Sequence, residues 1–378
     1  MRTLHVEAGR HYYGGARQVR YLVEGLARRG VHCLLAVPGD NPMTKMPWHE
    51  RVWVFPMEMR GDLDLGLVGR LKRLITEQAP DLVNVHSRRG ADWLGGAAAR
   101  LSGTPCVLTR RVDNPEKRWV AALKYRLFDQ VVSISGAVSR AMADAGVRRP
   151  PALIRSAVDG SKVATDCDRA AFAREFDLPG NAAVLGMVAQ FIPRKGHELV
   201  LDALPMVLRR DPETYVVFFG RGPLEEEVRN SASLQGLDSR VRFAGFRSDM
   251  DRLYACLDVL VHPASQEGLG VALLQAGAAG VPVVACRAGG IPEVVVHGET
   301  GLLVRPGDAR GLAEAICRLV ESRRLRRAMG EAARRRVETA FSVEAMVDAY
   351  LKLYGEVLGR DVSRFLRARP EAGPEAAA

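Results

Sequence analysis

Short apolar runs recur along the chain, and segments with helical spacing of apolar positions stand between them. In the first half, the runs 3–8, 32–37, 52–55, 82–86, 106–109 and 131–135 predict strands. Amphipathic spacing predicts helices over 16–29, 63–78, 91–101 and 116–128. The alternation weakens after residue 156 and restarts with predicted strands over 183–189, 215–220, 241–244, 259–262 and 281–285, again separated by helices. A short strand over 301–304 and helices over 309–322, 325–339 and 343–358 complete the pattern. Strands alternating with helices indicate parallel α/β sheets, here two in succession. The expected division is a first domain over 1–157, a linker over 158–182, a second domain over 183–342, and a low-complexity, frayed tail over 361–378. Ligands of doubly wound sheets bind outside the carboxyl ends of the strands, so the residues just after each strand are the candidates for chemistry.

Composition narrows the class. With 378 residues, 47% hydrophobic and 26% charged, the chain reads as a soluble globular protein. No apolar run approaches the roughly 20 residues that span a bilayer, and MRTLHVEAGRHYYGG has no apolar core of signal-peptide length. A cytoplasmic protein is expected. The six cysteines form no CxxC pair, which argues against zinc ribbons and thioredoxin-like sites; most lie in apolar runs and read as buried thiols.

Charge is unevenly placed. Residues 1–157 carry 25 Lys and Arg against 14 Asp and Glu, whereas residues 158–378 carry 29 against 30. The excess in the first half is compatible with an anionic partner, such as phospholipid, lipid-linked phosphate or nucleic acid. It is equally compatible with a solvated surface in an arginine-rich chain, with 47 Arg to 7 Lys. Residues 116–128, EKRWVAALKYRLF, sharpen the question. Trp119, Val120, Leu123 and Leu127 share one helical stripe, with Lys117, Arg118, Lys124 and Arg126 around it. Such a helix is either an interfacial membrane anchor or a core-facing helix with a charged outer surface.

Several motifs are absent: no GxxxxGK[ST], no GxGxxG after the first strand and no HExxH. Three Asp-x-Asp pairs, 62/64, 166/168 and 249/251, have a metal-diphosphate reading, but two of them read better as acids at helix starts, with Ser248 as an N-cap. No metal is expected.

Three features follow strands. Gly14 and Gly15 precede the first helix, where backbone N–H groups can approach a phosphate. The segment AQFIPRKGH places Gln190, Arg194 and Lys195 at the corresponding point of the second half, and cations at a helix start call for a counter-charge. The segment HPASQEGLGVALLQA sets Glu267 at the mouth of a helix opened by Gly268, Leu269 and Gly270, with Gln275 two turns along.

These segments carry a resemblance. RFAGFRSDMDRLYACLDVLVHPASQEGLGVALLQAGAAGVPVVA and GGIPEVVVHGETGLLVRPGD are similar to the sugar-donor half of retaining GT-B glycosyltransferases of family 4. GMVAQFIPRKGHELVLDAL resembles the family's diphosphate loop, while YYGGARQVRYLVEGLARRGVHCLLAV and PDLVNVHS match its acceptor half more loosely. The resemblance implies two Rossmann-like domains facing a cleft, with the helix over 343–358 crossing back to the first. It implies a nucleotide-sugar donor (UDP-, GDP- or ADP-sugar), a lipid-linked or glycan acceptor, no cofactor and no nucleic-acid partner. It assigns His86 to the acceptor side of the scissile bond, Lys195 to the diphosphate and Glu267 to the sugar. Two positions depart from the family: Gln190 stands where it has Arg, and Gln275 where its second Glu holds ribose hydroxyls. The competing readings are a nucleotide-sugar epimerase and a non-catalytic sugar-nucleotide binder. A lipid-linked acceptor would also place the basic domain on the cytoplasmic face of the inner membrane.

Overall fold

Strands buried on both faces need near-continuous apolar runs, and the chain supplies them. The computed structural model describes residues 1–86, 90–147 and 149–367. The first-half strands are β1 (Arg2–Glu7), β2 (His32–Pro38), β3 (Val52–Met57), β4 (Leu82–His86), β5 (Cys106–Arg110), β6 (Gln130–Ser133) and β7 (Ala152–Leu153). The second-half strands are β8 (Ala183–Val188), β9 (Thr214–Phe219), β10 (Val241–Gly245), β11 (Val259–His262), β12 (Val283–Cys286) and β13 (Gly301–Val304). All are paired in parallel, in the orders β3-β2-β1-β4-β5-β6-β7 and β10-β9-β8-β11-β12-β13. Each order reverses direction once, between β1 and β4 and between β8 and β11. Those are the switch points at which doubly wound sheets bind ligands.

The chain divides into two units, one made of residues 1–157 with the segment from Val343 onward, the other of Val158–Ser342. The helix Val343–Leu358 packs in the first unit, beside the helix Gly14–Arg28. Its Tyr350 and Tyr354 are fully buried. The Tyr354 hydroxyl accepts from Asn84 Nδ2 on β4 at 2.7 Å, and the Tyr350 hydroxyl lies 3.0 Å from Thr109 Oγ1 on β5. Thr109 also donates to Asn84 Oδ1 at 3.1 Å.

Several expectations change. Residues 158–182 are not a free linker. Asp168 caps the helix Arg169–Glu175, whose Phe172 is buried, as is the following Phe176, which packs edge-on against Phe219. Arg169 ties the segment to Asp258 at 3.0 Å and to the Cys256 carbonyl at 2.5 Å. The same packing brings Cys167 and Cys256 together as a disulfide, with Cα atoms 5.1 Å apart. Cys33, Cys106, Cys286 and Cys317 remain buried thiols. The strand expected over 131–135 ends at Ser133, because Ser135 accepts from Val138 N at 3.1 Å and caps the helix Gly136–Asp144. Part of the expected tail is ordered: Val362 and Phe365 are buried in the first unit's core, around the short helix Ser363–Arg367. Residues 368–378 lie outside the described residues.

The basic amphipathic segment adopts an inverted orientation. The helix Arg118–Lys124 buries Lys124, which pairs with Asp92 at 3.2 Å and with Glu116. Glu116 in turn pairs with Arg110, which is buried at the end of β5. With Lys124 turned inward, Trp119 and Leu123 face solvent, 69% and 55% exposed. Lys117, Arg118 and Arg126 are exposed beside them.

Tyr354→Phe should leave the Asn84 amide without its acceptor and lower stability by about 1–3 kcal/mol. Urea unfolding measures this; an unchanged midpoint would show that the hydroxyl adds nothing.

Candidate active site

In the second unit, both loops at the β8/β11 switch point carry predicted residues. After β8 the chain passes Gln190, which is exposed, and forms a short turn over Pro193–Lys195. Gly196 then takes φ +77 before the helix His197–Arg210. A side chain at Gly196 would meet the Pro263 carbonyl oxygen at 2.6 Å, so glycine permits the close approach of the loop that follows β11. That loop runs through Ser265 and Glu267 to the helix Val271–Ala278, which starts at Gly270. A third loop lies on it: Gly290 N donates to Glu267 O at 2.8 Å, and a Cβ at Gly290 would fall 2.2 Å from Gly268 O.

Glu267 joins these loops chemically. Its Oε2 accepts from Lys195 Nζ and lies 2.9 Å from His262 Nε2. Burial pushes the Glu267 carboxyl up, but the His262 hydrogen bond and the Lys195 charge outweigh it and hold the group below the usual carboxylate range. Burial pushes His262 down despite the Glu267 bond, so its imidazole stays neutral and donates through Nε2–H. Arg194 donates to the Gln266 carbonyl at 3.0 Å, while its own carbonyl accepts from Ser265 N at 2.9 Å. The counter-charge called for by Arg194 and Lys195 is therefore Glu267 for Lys195 and a carbonyl dipole for Arg194. Gln275 is buried further along the helix.

In the first unit, Gly14 and Gly15 form the first turn of the helix Gly14–Arg28. His86 ends β4, paired in register with Glu7 of β1 across the switch point. It is fully buried, with ring nitrogens 3.2 Å from His5 Nδ1 and 3.3 Å from Arg111 Nη2. An arginine can only donate, so His86 Nδ1 accepts and its Nε2–H donates to His5 Nδ1. The His5 Nε2–H then points to Thr3 Oγ1 at 3.1 Å, and Thr3 donates to Cys33 Sγ. Burial, the Arg111 charge and His5 hold His86 well below the ordinary histidine range. His5, read as structural, is held at about 3 by burial. The pair is a neutral, oriented chain rather than a solvent-facing base.

The remaining candidates separate. Asp249 is held by Arg247 and Arg252, the Arg247 hydrogen bond lowering its pKa most, whereas Asp251 accepts from Gln275. Asp64 pairs with Arg70. Among the described residues, no group of three or more His, Cys, Asp and Glu is placed to hold a metal ion.

Residues 168–336 match the family Glycosyl transferases group 1, and residues 12–162 match Glycosyltransferase Family 4. The chain is 28% identical to the lipopolysaccharide core biosynthesis glycosyltransferase LpsE of Rhizobium meliloti, over 93% of this chain and 98% of that protein. It is 30% identical to the GDP-mannose-dependent alpha-(1-6)-phosphatidylinositol monomannoside mannosyltransferase of Mycobacterium tuberculosis, over 78% of this chain and 80% of that protein. The chain belongs to glycosyltransferase family 4. Its fold is similar to that of Anabaena HepE in complex with UDP and glucose, with a TM-score of 0.81 and 22% identity over 94% of this chain and all of that one. This is the GT-B fold.

Three residues of the glycosyltransferase escaped the sequence reading. His262 stands one position before Pro263 at a strand end, a place that signals a site, yet nothing in the spacing pairs it with Glu267. Arg111 follows β5 and sets the tautomer of His86. Asp251 reads in sequence as a helix-start acid.

The buried histidines of the glycosyltransferase predict an acid response. His5 and His197 are each held at about 3, both chiefly by burial, with the Lys195 charge adding to it at His197. The unfolded chain protonates near 6.5, before the fold can. Their stabilisation is complete above that pH and falls as pH drops from 6.5 towards 3, by at most about 1.4 kcal/mol per pH unit for each histidine. His197→Gln should remove one such contribution from the slope of stability against pH between 6.5 and 5. An unchanged slope would refute it.

Proposed function

We propose that this glycosyltransferase moves a sugar from a nucleotide-diphosphate donor to a lipid-linked or glycan acceptor with retention of anomeric configuration and without a metal. The Lys195–Glu267–His262 cluster at the β8/β11 switch point carries the reading. An ammonium has three N–H donors, and Glu267 takes one. The others are available to a diphosphate lying on the N-terminus of the helix Val271–Ala278, where the Gly268, Leu269 and Gly270 amides open it. Glu267, pinned as an anion, is set to accept from sugar hydroxyls. The Gly14 and Gly15 amides, at the start of the helix Gly14–Arg28, are further candidates to hold the donor phosphate, and His86, at the end of β4, stands on the acceptor side.

In the reaction, the bond between the anomeric carbon and the phosphate oxygen breaks. Negative charge grows on that oxygen, and Lys195 with the helix N-terminus stabilises it. The acceptor hydroxyl attacks from the same face, and its proton passes to the departing phosphate. Gln190 contributes no charge to this step. Relatives named as lipopolysaccharide and phosphatidylinositol-mannoside glycosyltransferases support a cell-envelope acceptor.

Lys195→Ala should lower turnover by about 10²–10³-fold with the fold intact. The assay is sugar transfer from UDP-, GDP- and ADP-sugars to lipid and glycan acceptors. Wild-type turnover in the folded variant would remove Lys195 from the mechanism. Donor turnover without acceptor would favour an epimerase, and binding without turnover a sugar-nucleotide receptor.

Among the described residues no helix is long and apolar enough to cross a membrane. Surface attachment at the cytoplasmic face is supported instead by exposed Trp119 and Leu123, ringed by Lys117, Arg118 and Arg126. Each cation near an anionic surface adds about 1 kcal/mol. Reversing these three charges should abolish salt-sensitive binding to anionic vesicles, and Trp119→Ala should weaken it. Lys124 is unsuitable for the test, because it is buried in an ion pair. Equal binding of the wild type to neutral and anionic vesicles, or none at low salt, would leave a soluble acceptor.

A further inference from the structure

Glu267 receives two side-chain donors, and both converge on one of its oxygens. Lys195 Nζ and His262 Nε2 each meet Oε2, the histidine at 2.9 Å. Oε1 takes no donor among the described residues and is not sealed from solvent, the side chain being 14% exposed. The carboxylate is therefore asymmetric, with one oxygen fixed and the other presented outward.

The two donors differ in kind. An ammonium is a point charge on a flexible stem, with three donors that rotate. It neutralises Glu267 without setting its angle, and in the reading above the same group also serves the donor diphosphate. An imidazole N–H is a single donor in the plane of a rigid ring. The His262 ring is 2% exposed and stands at the end of β11, five positions before Glu267.

Its surroundings restrict that ring to one form. An ionised Glu267 only accepts, so the ring hydrogen is on Nε2 and the lone pair on Nδ1. The charged and titratable groups facing His262 are Glu267 after β11, Arg194 and Lys195 on the turn after β8, and His197 at the start of the next helix. Nδ1 has no hydrogen-bond partner among the described residues, so a second proton would be buried there without an acceptor, close to two cations. The ring keeps one proton and one direction in which to offer it.

We propose that His262 is a positioning residue, which holds Glu267 in place when Lys195 turns to the donor diphosphate. The role rests on the sugar-nucleotide reading of the second unit. In that state the ammonium is shared between two anions, and a buried carboxylate with no other donor would take up a proton or swing away. With His262 in place, Oε2 stays fixed and Oε1 accepts from a sugar hydroxyl at a set angle.

The test uses the full chain and two measurements. In protein carrying ¹⁵N-labelled histidine, the His262 ring should show the neutral Nε2–H form at pH 6.5, where a free imidazole is half protonated, both alone and with nucleotide bound. His262→Gln identifies its signals. A protonated ring or an Nδ1–H ring would overturn the role. Calorimetric titration then compares UDP-glucose with UDP, GDP-mannose with GDP, and ADP-glucose with ADP, between pH 5 and 8. His262→Gln keeps an N–H donor that does not titrate, and His262→Leu removes it; circular dichroism checks both for folding. In His262→Leu the affinity for the sugar nucleotide relative to its bare nucleotide should fall by about tenfold from pH 7 to pH 5. The wild type and His262→Gln should show no such fall, and affinity for the bare nucleotide should be alike in all three. A ratio in folded His262→Leu that follows the wild type would sink the assignment, as would a glutamine variant that behaves like leucine. If the folded wild type bound none of the three nucleotides, the sugar-nucleotide reading itself would fall, and this role with it.

Discussion

One buried carboxylate organises the second unit's site. Glu267 lies between a cation from the loop after β8 and an imidazole from the end of β11, while its backbone oxygen accepts from the loop that contains Gly290. A desolvated anion is costly without partners and strongly orienting with them. The three loops therefore hold each other in register, and glycines at 196 and 290 allow the backbone contacts that this requires. His262 completes the arrangement as a neutral donor. A protonated histidine beside Lys195 would add a second cation against a single carboxylate.

The first unit uses buried charge in the same way, towards a different end. Arg110, Glu116 and Lys124 form a chain of ion pairs reaching Asp92. This chain decides which face of the helix Arg118–Lys124 points inward, against what apolar content alone would dictate. The result is an exposed tryptophan and leucine on the more basic half of the molecule. Charge burial here selects orientation, a role for which its net energetic worth is secondary.

Much of this was legible beforehand. The strands are buried on both faces and stand out as apolar runs, which is why β4, β11 and β13 begin and end where the pattern puts them. Brändén's rule then marks the loops after β8 and β11. What escaped depends on partners far apart in the chain. Gln275 and Asp251 are separated by 24 positions, Glu267 and Lys195 by 72, and the two disulfide cysteines by 89. Periodicity also misjudged Lys124, because a lysine stripe reads as solvated unless its carboxylates are known. The 158–182 segment looked like a linker because its aromatic anchors, Phe172 and Phe176, are sparse and their partners lie elsewhere.

The return of the chain has a consequence for synthesis. The first unit lacks Tyr350, Leu351 and Tyr354 of its core until the helix Val343–Leu358 is made. The second unit is continuous, from Val158 to Ser342, and its ends meet: Val158 N donates to Phe341 O at 2.9 Å and Val158 bridges Ser342. Domains fold as units while the ribosome is still elongating the chain. The later-encoded unit can thus close first, while residues 1–157 wait with an apolar groove uncovered. In a nascent chain, that groove is the surface a chaperone would meet.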